Sequence, residues 1–308
     1  MFTIKNISIG NGEIKASEIS LGCMRMANLT VKEAAGVIDS ALESGINFFD
    51  HADIYGGGKS EEIFAKAIGM TPEKREKIFL QSKCGICKGY YDFSKKHILE
   101  AVDGSLKRLK TDYLDVLLLH RPDTLVEPEE VAEAFTILHS SGKVRYFGVS
   151  NQNPMQMELL RKYLNQKIVI DQLQLSIMHT GMMDSGLHVN MKHESAIDRD
   201  GSVLDYCRLK NITVQAWSPF QYGFFEGVFL DNDKFPELNK RINEIASAKN
   251  VTNSAVAIAW ILRHPAKIQP IIGTMNKNRI KDICKASDIT LTRQEWYSIY
   301  IAAGNILP

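Results

Sequence analysis

Eight times along the chain a short apolar run is followed by a longer amphipathic stretch with its own start and stop signals, and few folds accommodate that rhythm. The runs are Ile19 to Leu21, Asn47 to Phe49, Ile78 to Ser82, Leu114 to Leu119, Arg145 to Val149, Lys167 to Leu173, Ile212 to Trp217 and Lys267 to Ile272. Continuous apolarity of this kind suits strands covered on both faces. Between the runs, Thr30-Val31-Lys32-Glu33 is a capping box ahead of Val37, Ile38, Ala41 and Leu42, and Ser60 is positioned to cap a helix to Ile68. Ser94 precedes Ile98, Val102, Leu106 and Leu109; Pro128 precedes Val131, Phe135 and Leu138; Asn153-Pro154 pairs an N-cap with proline at the first helical position. Further helices are predicted around Val203 to Lys210, Leu238 to Lys249, Ser254 to Arg263 and Lys277 to Lys285. Eight strand-then-helix units predict an α/β fold, a closed (β/α)8 TIM barrel.

A length of 308 residues suggests two domains on average. No linker or repeat divides the chain, however, so residues 1–308 are expected to form a single barrel domain. Thr3 to Ile9, Gly10-Asn11-Gly12 and Glu13 to Lys15 predict a β-hairpin ahead of the barrel, and Thr292-Arg293-Gln294-Glu295 predicts an extra helix after it. With 37 basic and 36 acidic side chains there is no charge excess to favour nucleic acid or an anionic membrane, and no apolar run long enough to span a bilayer. The first residues lack the pattern of a secretory signal. Cys23, Cys84, Cys87, Cys207 and Cys284 are scattered, which suits free thiols in a reducing compartment, so the cytoplasm is expected.

Polar or aromatic residues fall at the ends of the second to seventh strands. Asp50 closes the second, Lys83 the third, His120 the fourth, Ser150 and Asn151 the fifth, Gln172 the sixth and Trp217 the seventh. In a barrel those ends converge on one mouth, the face where such folds carry out chemistry. Tyr55 follows Asp50 on a loop that Gly56, Gly57 and Gly58 leave free to turn. A phenol with a reference pKa of about 10 is a weak proton donor near neutrality, and an ammonium beside it lowers that value. Lys83 can supply that charge, Asp50 can hold Lys83, and His120 can orient a substrate oxygen.

With these motifs in view, the chain resembles the aldo-keto reductase family. The residues that carry the resemblance are Phe48 to Gly56, Ser82-Lys83, Leu117 to Pro122, Gly148 to Asn151, Gln172, Ala216 to Pro219, and Pro270 to Thr274. The resemblance implies a catalytic tetrad of Asp50, Tyr55, Lys83 and His120 with Tyr55 as proton donor, acting on small-molecule aldehydes or ketones. His51 and Cys23 depart from the residues common in the family and bear on substrate choice. No Gly-x-Gly-x-x-Gly follows a strand, so the nicotinamide cofactor is expected in the barrel and not on a Rossmann domain. By the same resemblance, Ser150, Asn151 and Gln172 hold the carboxamide, Trp217 stacks on the ring, the pyrophosphate lies along Ser218 to Phe220, and the adenosine end lies near Thr274, Asn276 and Arg279. NADPH is the expected cofactor, with NAD as an alternative, because Arg279 and the nearby Lys277 suit a 2′-phosphate although Met275 stands where a cation is common.

Other signals point elsewhere. Gly58-Lys59-Ser60 is not a phosphate-binding loop, because the earlier glycine such a loop needs is Asp53. Cys84-Gly85-Ile86-Cys87 offers an alternative function, a thiol-redox sensor; a cofactor-binding regulatory protein with little turnover is another. Met178, Met182, Met183 and Met191 with His179, His188 and His193 crowd the segment after the sixth strand, which is expected to form an adaptable apolar lid with no metal. The sequence is silent on oligomeric state.

Overall fold

The computed structural model describes residues 4–308, so Thr3 of the expected hairpin lies outside the described residues. The hairpin pairs Asn6–Ile9 with Ile14–Ser17, with Asn6 opposite Ser17 and Ile9 opposite Ile14. Eight parallel strands follow and close into a barrel: Ser20–Gly22, Phe48–Asp50, Phe79–Cys84, Leu114–Leu119, Val144–Ser150, Ile168–Gln174, Thr213–Trp217 and Gln269–Ile272. They pair in chain order, and the last pairs with the first through Ile271 beside Ser20. The expected (β/α)8 barrel, hairpin and final helix, Arg293–Ala302, are all present.

Strand alternation sorts side chains between two cores. Phe49 faces outward onto Phe64 of the helix Lys59–Ile68, their rings 5.0 Å apart. Phe48 faces inward and joins Val116, Leu118 and Ile170 with Ile7, Ile9 and Ile14 of the hairpin. The hairpin therefore plugs the barrel floor, and each buried aromatic or branched side chain there contributes roughly 1.5–3 kcal/mol. Also buried, Asp115 accepts from Arg75 at 2.7 Å and from the backbone of Leu80 at 2.8 Å, and both Arg75 and Arg145 lie over the Tyr113 ring.

The capping boxes at Thr30, Asn153 and Thr292 form as the sequence predicts. Ser60 is a correction. Its helix starts at Lys59 behind Gly58 in the left-handed region (φ +90°), and the Ser60 hydroxyl instead donates to the carbonyl of Met24 and accepts from the amide of Ala27. It thereby pins a 3-10 turn, Met24–Asn28, that the sequence did not announce. Two small hairpins extend the mouth, Ile86–Cys87 with Tyr90–Tyr91 and Gln221–Tyr222 with Gly227–Val228. The segment after the sixth strand contains the helix Gly181–Leu187 and is tied down, because Asp184 accepts from Tyr300 of the final helix at 2.6 Å. It is thus an anchored element and not a loose apolar flap.

Candidate active site

Asp50 and Lys83 end neighbouring strands, with Asp50 in register with Gln81, so two residues along the third strand brings Lys83 one layer higher on the same inward face. The Lys83 ammonium, fully buried, lies 2.7 Å from Asp50 Oδ1 and donates to the carbonyl of His51 at 2.8 Å and to the Tyr55 hydroxyl at 3.0 Å. All of its protons are used. Burial alone would lower the Lys83 pKa; Asp50, then Tyr55, more than offset this and hold it above the ordinary lysine value. The loop bearing Tyr55 is fixed from beneath, the backbone amide of Asp53 donating to the carbonyl of Lys83 at 3.1 Å.

Tyr55 differs from the expectation. Burial of the hydroxyl raises its pKa, and the lowering pull of Lys83 does not cancel that. The phenol is therefore held as a proton carrier, not as a phenolate. His120 stands edge-on to it, ring centroids 6.0 Å apart at 82°. Burial first, then the charges of Lys83 and Arg121, push the His120 pKa down to about 2, so the imidazole is neutral, and its Nδ1 has no protein partner. A proton-bearing phenol and a neutral imidazole together offer hydrogen bonds to an oxygen that is gaining negative charge. His51, buried against Phe64 at 4.6 Å with neither ring nitrogen partnered, is likewise neutral, its pKa lowered to about 3 by burial and Lys83.

Four residues expected to hold the nicotinamide come together. Ser150 donates to the carbonyl of Gln172 at 2.9 Å, Asn151 Nδ2 donates to Ser150 Oγ at 2.7 Å, and the Trp217 indole donates to Asn151 Oδ1 at 3.1 Å. Asn151 (φ +59°) and Ser218 (φ +54°) are non-glycine residues in the left-handed region, each just past a strand end, a strain that functional sites commonly store. Phe225 stacks near Trp217, rings 6.0 Å apart at 22°, and the Arg121 guanidinium lies 5.5 Å from the same indole. Ser218 and Phe220 sit half-buried on the loop between Trp217 and the second small hairpin.

The remaining expected residues gather where the last strand meets the helix Lys277–Cys284. Thr274 accepts from the amide of Asn276, and Asn276 caps the helix by accepting from Asn278 and Arg279. The Asn276 oxygen is thus committed to the backbone. Arg279 is exposed and has no carboxylate partner among the described residues. Lys277, which the sequence brought to the same end, instead lies along Gly36 of the helix Val31–Glu43, its Cδ 3.1 Å from where a Cβ there would stand.

Several residues near the site escaped the sequence reading. Gln81, Gln215 and Gln269 are buried inside the barrel, and their signal was an amide within an apolar strand, since a buried polar side chain must find partners. Asp53 is the other. Burial, then the neighbouring Glu61, raises its pKa to about 7. The Cys84-x-x-Cys87 stretch gains no support: all five cysteines are free thiols, and burial pushes the Cys84 thiol well above its ordinary pKa, the reverse of a redox thiol. Among the described residues no cluster of three metal-ligating side chains occurs, and no helix is long and apolar enough to cross a membrane.

The closed barrel thus gathers a lysine, a tyrosine, an aspartate and a neutral histidine at its mouth. Residues 18–303 match the Aldo/keto reductase family, and the chain belongs to it. It is therefore an NAD(P)H-dependent aldo-keto reductase, and the family acts on small carbonyl compounds. The chain is 37% identical over 304 residues to the uncharacterized oxidoreductase YcsN of Bacillus subtilis, spanning 94% of this chain and 95% of that one. It is 33% identical to a 6-dehydroglucose reductase of Agrobacterium fabrum, covering 94% and 95% of the two chains. In fold it matches an aldo/keto reductase from Klebsiella pneumoniae solved with NADP and acetate, with a TM-score of 0.76 at 24% identity over 96% and 94% of the chains.

Proposed function

We propose that this enzyme reduces aldehydes or ketones to alcohols with NADPH, with Tyr55 as proton donor and Asp50, Lys83 and His120 as its supporting groups. The observation that carries the reading is the hydrogen-bonded line from Asp50 through Lys83 to the Tyr55 hydroxyl, ending opposite a neutral His120. The cofactor, when bound, supplies a hydride to the carbonyl carbon. Tyr55 gives its proton to the carbonyl oxygen as charge develops there, and Lys83 holds the phenol oxygen as it does so. His120 orients the same oxygen through a ring nitrogen, and its low pKa keeps it a neutral donor throughout.

The residues suit the cofactor. Gln172 spends its amide nitrogen inside the barrel and leaves its oxygen for a carboxamide, Ser150 and Asn151 brace it, and Trp217 offers an aromatic surface. Ser218 and Phe220 would follow the pyrophosphate, and Thr274, Asn276 and Arg279 the adenosine end, with the exposed guanidinium of Arg279 reading a 2′-phosphate. A cytoplasmic location accords with five free cysteines. The test is NADPH oxidation over a panel of aldehydes, ketones and dicarbonyls with wild type and Tyr55→Phe. The variant should keep cofactor affinity and lose all but about 1% of turnover, the scale of a general-acid contribution. Wild-type turnover without the hydroxyl would remove Tyr55 from the reaction.

A further inference from the structure

Beneath the candidate site four buried glutamines are hydrogen-bonded in a single direction. Gln269 donates to the backbone carbonyl of Ser17 at 2.7 Å, and Gln215 donates to Gln269 Oε1 at 2.8 Å. Gln81 and Gln172 both donate to Gln215 Oε1, at 2.8 and 3.0 Å, and both donate to Asp50 Oδ1, at 2.6 and 3.0 Å. Each of those two amides thus divides its two protons between Gln215 and Asp50.

The direction follows from the ends. A backbone carbonyl can only accept, so Gln269 must turn its nitrogen to Ser17 and its oxygen to Gln215. Gln215 must then donate downward and accept upward. At the other end Asp50 already binds the Lys83 ammonium at 2.7 Å and can only accept on that oxygen, so Gln81 and Gln172 must donate there as well. The cost is visible: Gln81 Oε1 is buried without a partner, and no turn of that amide would satisfy it without setting oxygen against oxygen. For Gln172 the same constraint turns Oε1 away from Gln215 and Asp50, and that oxygen, unlike Gln81 Oε1, is not sealed off without a partner.

We propose that Gln215 is a positioning residue that, together with Asp50, locks Gln172 with its acceptor oxygen facing the cofactor, so that the site selects a pyridine ring carrying an amide N–H donor. Gln215 touches neither substrate nor cofactor in this assignment; it acts through Gln172 and, by the shared amides, ties the ring-binding residue to the Asp50–Lys83 pair. The inference rests on the NADPH reading above.

The test compares dissociation constants for NADPH and for its reduced 3-acetylpyridine analogue, which replaces the carboxamide with a ketone and has no N–H to give. Wild type should prefer NADPH by about three- to tenfold, the worth of one neutral hydrogen bond. Gln215→Met, which fills the space but accepts nothing, should lower that ratio at least about twofold, because Gln172 then keeps only its bond to Asp50 and its amide can pivot about that single contact. Gln215→Glu should keep it, since a buried carboxylic acid presents an oxygen to both amides and its own proton to Gln269. A merely structural role would weaken both ligands together and leave the ratio at its wild-type value in Gln215→Met, and that result would overturn the proposal. So would a wild-type ratio of one. If Gln215→Met does not fold by thermal melting, Gln215→Asn withdraws the acceptor by one methylene with the same expectation. Failure of wild type to bind either nucleotide would instead overturn the cofactor reading itself.

Discussion

Replacing Lys83 by methionine isolates the physics of the site, because the side chain is fully buried and the change removes a charge with little change of volume. At 2.7 Å from Asp50 the attraction is about 6 kcal/mol for an effective dielectric of about 20, but taking both charges out of water offsets much of it. The pair as a whole therefore contributes little net stability. Breaking it is another matter: Lys83→Met leaves Asp50 as a buried carboxylate held only by Gln81 and Gln172, which costs about 3–5 kcal/mol. For a chain of 308 residues that is a fall in Tm of roughly 5–10 °C. Adding Asp50→Asn removes the stranded charge while keeping an oxygen for both amides, so the double variant should recover to within about 1–2 kcal/mol of wild type. Activity should not recover, since Tyr55 still lacks its ammonium, and both variants should lose about 10²-fold or more in kcat. Calorimetry and NADPH oxidation on the three proteins decide it. A double variant no more stable than Lys83→Met would refute the buried-pair argument, and turnover above about 10% in Lys83→Met would refute the role of the ammonium at Tyr55.

Arg279→Ala should weaken NADPH by about 1.5–3 kcal/mol, the range for a hydrogen bond to a charged group, and NADH much less; equal losses at fixed salt would show that Arg279 does not read the 2′-phosphate. Cofactor binding should quench Trp217 emission, and a quench that survives Trp217→Leu would remove the indole from the ring's seat. Asp53 tests the pH dependence of stability. Its folded pKa of about 7 lies above the unfolded value, so the folded state holds the extra proton and this group's contribution declines as pH rises from about 4 to 7. Asp53→Asn should thus raise stability at pH 8, by about 1–2 kcal/mol after allowance for its partial exposure, and give no gain at pH 4; a gain that is the same at both would rule out the titration.

Local chemistry makes much of this protein legible in the amino-acid sequence alone. A Thr-x-x-Glu box satisfies two amide groups within four residues, so the helices after Thr30 and Thr292 can be read from those residues without their surroundings. Apolar runs such as Leu114 to Leu119 announce strands covered on both faces, and polar side chains at the ends of the second to sixth runs mark the mouth where Asp50, Lys83 and His120 stand. Ser60 shows where such reading ends. Its cap role depended on nothing nearby competing for the hydroxyl, and the turn at Met24–Asn28, distant in sequence, does compete. The Tyr55 pKa is similar: Lys83 was foreseeable as a neighbour, but the depth of burial that outweighs it is a property of the closed barrel. The glutamine array is the fullest case. Gln81, Gln172, Gln215 and Gln269 lie on four different strands, and only closure of the sheet brings them to one level and one direction. Sequence specifies which groups a strand carries and on which face; which groups meet, and how far from water, is decided by contacts between residues far apart in the chain.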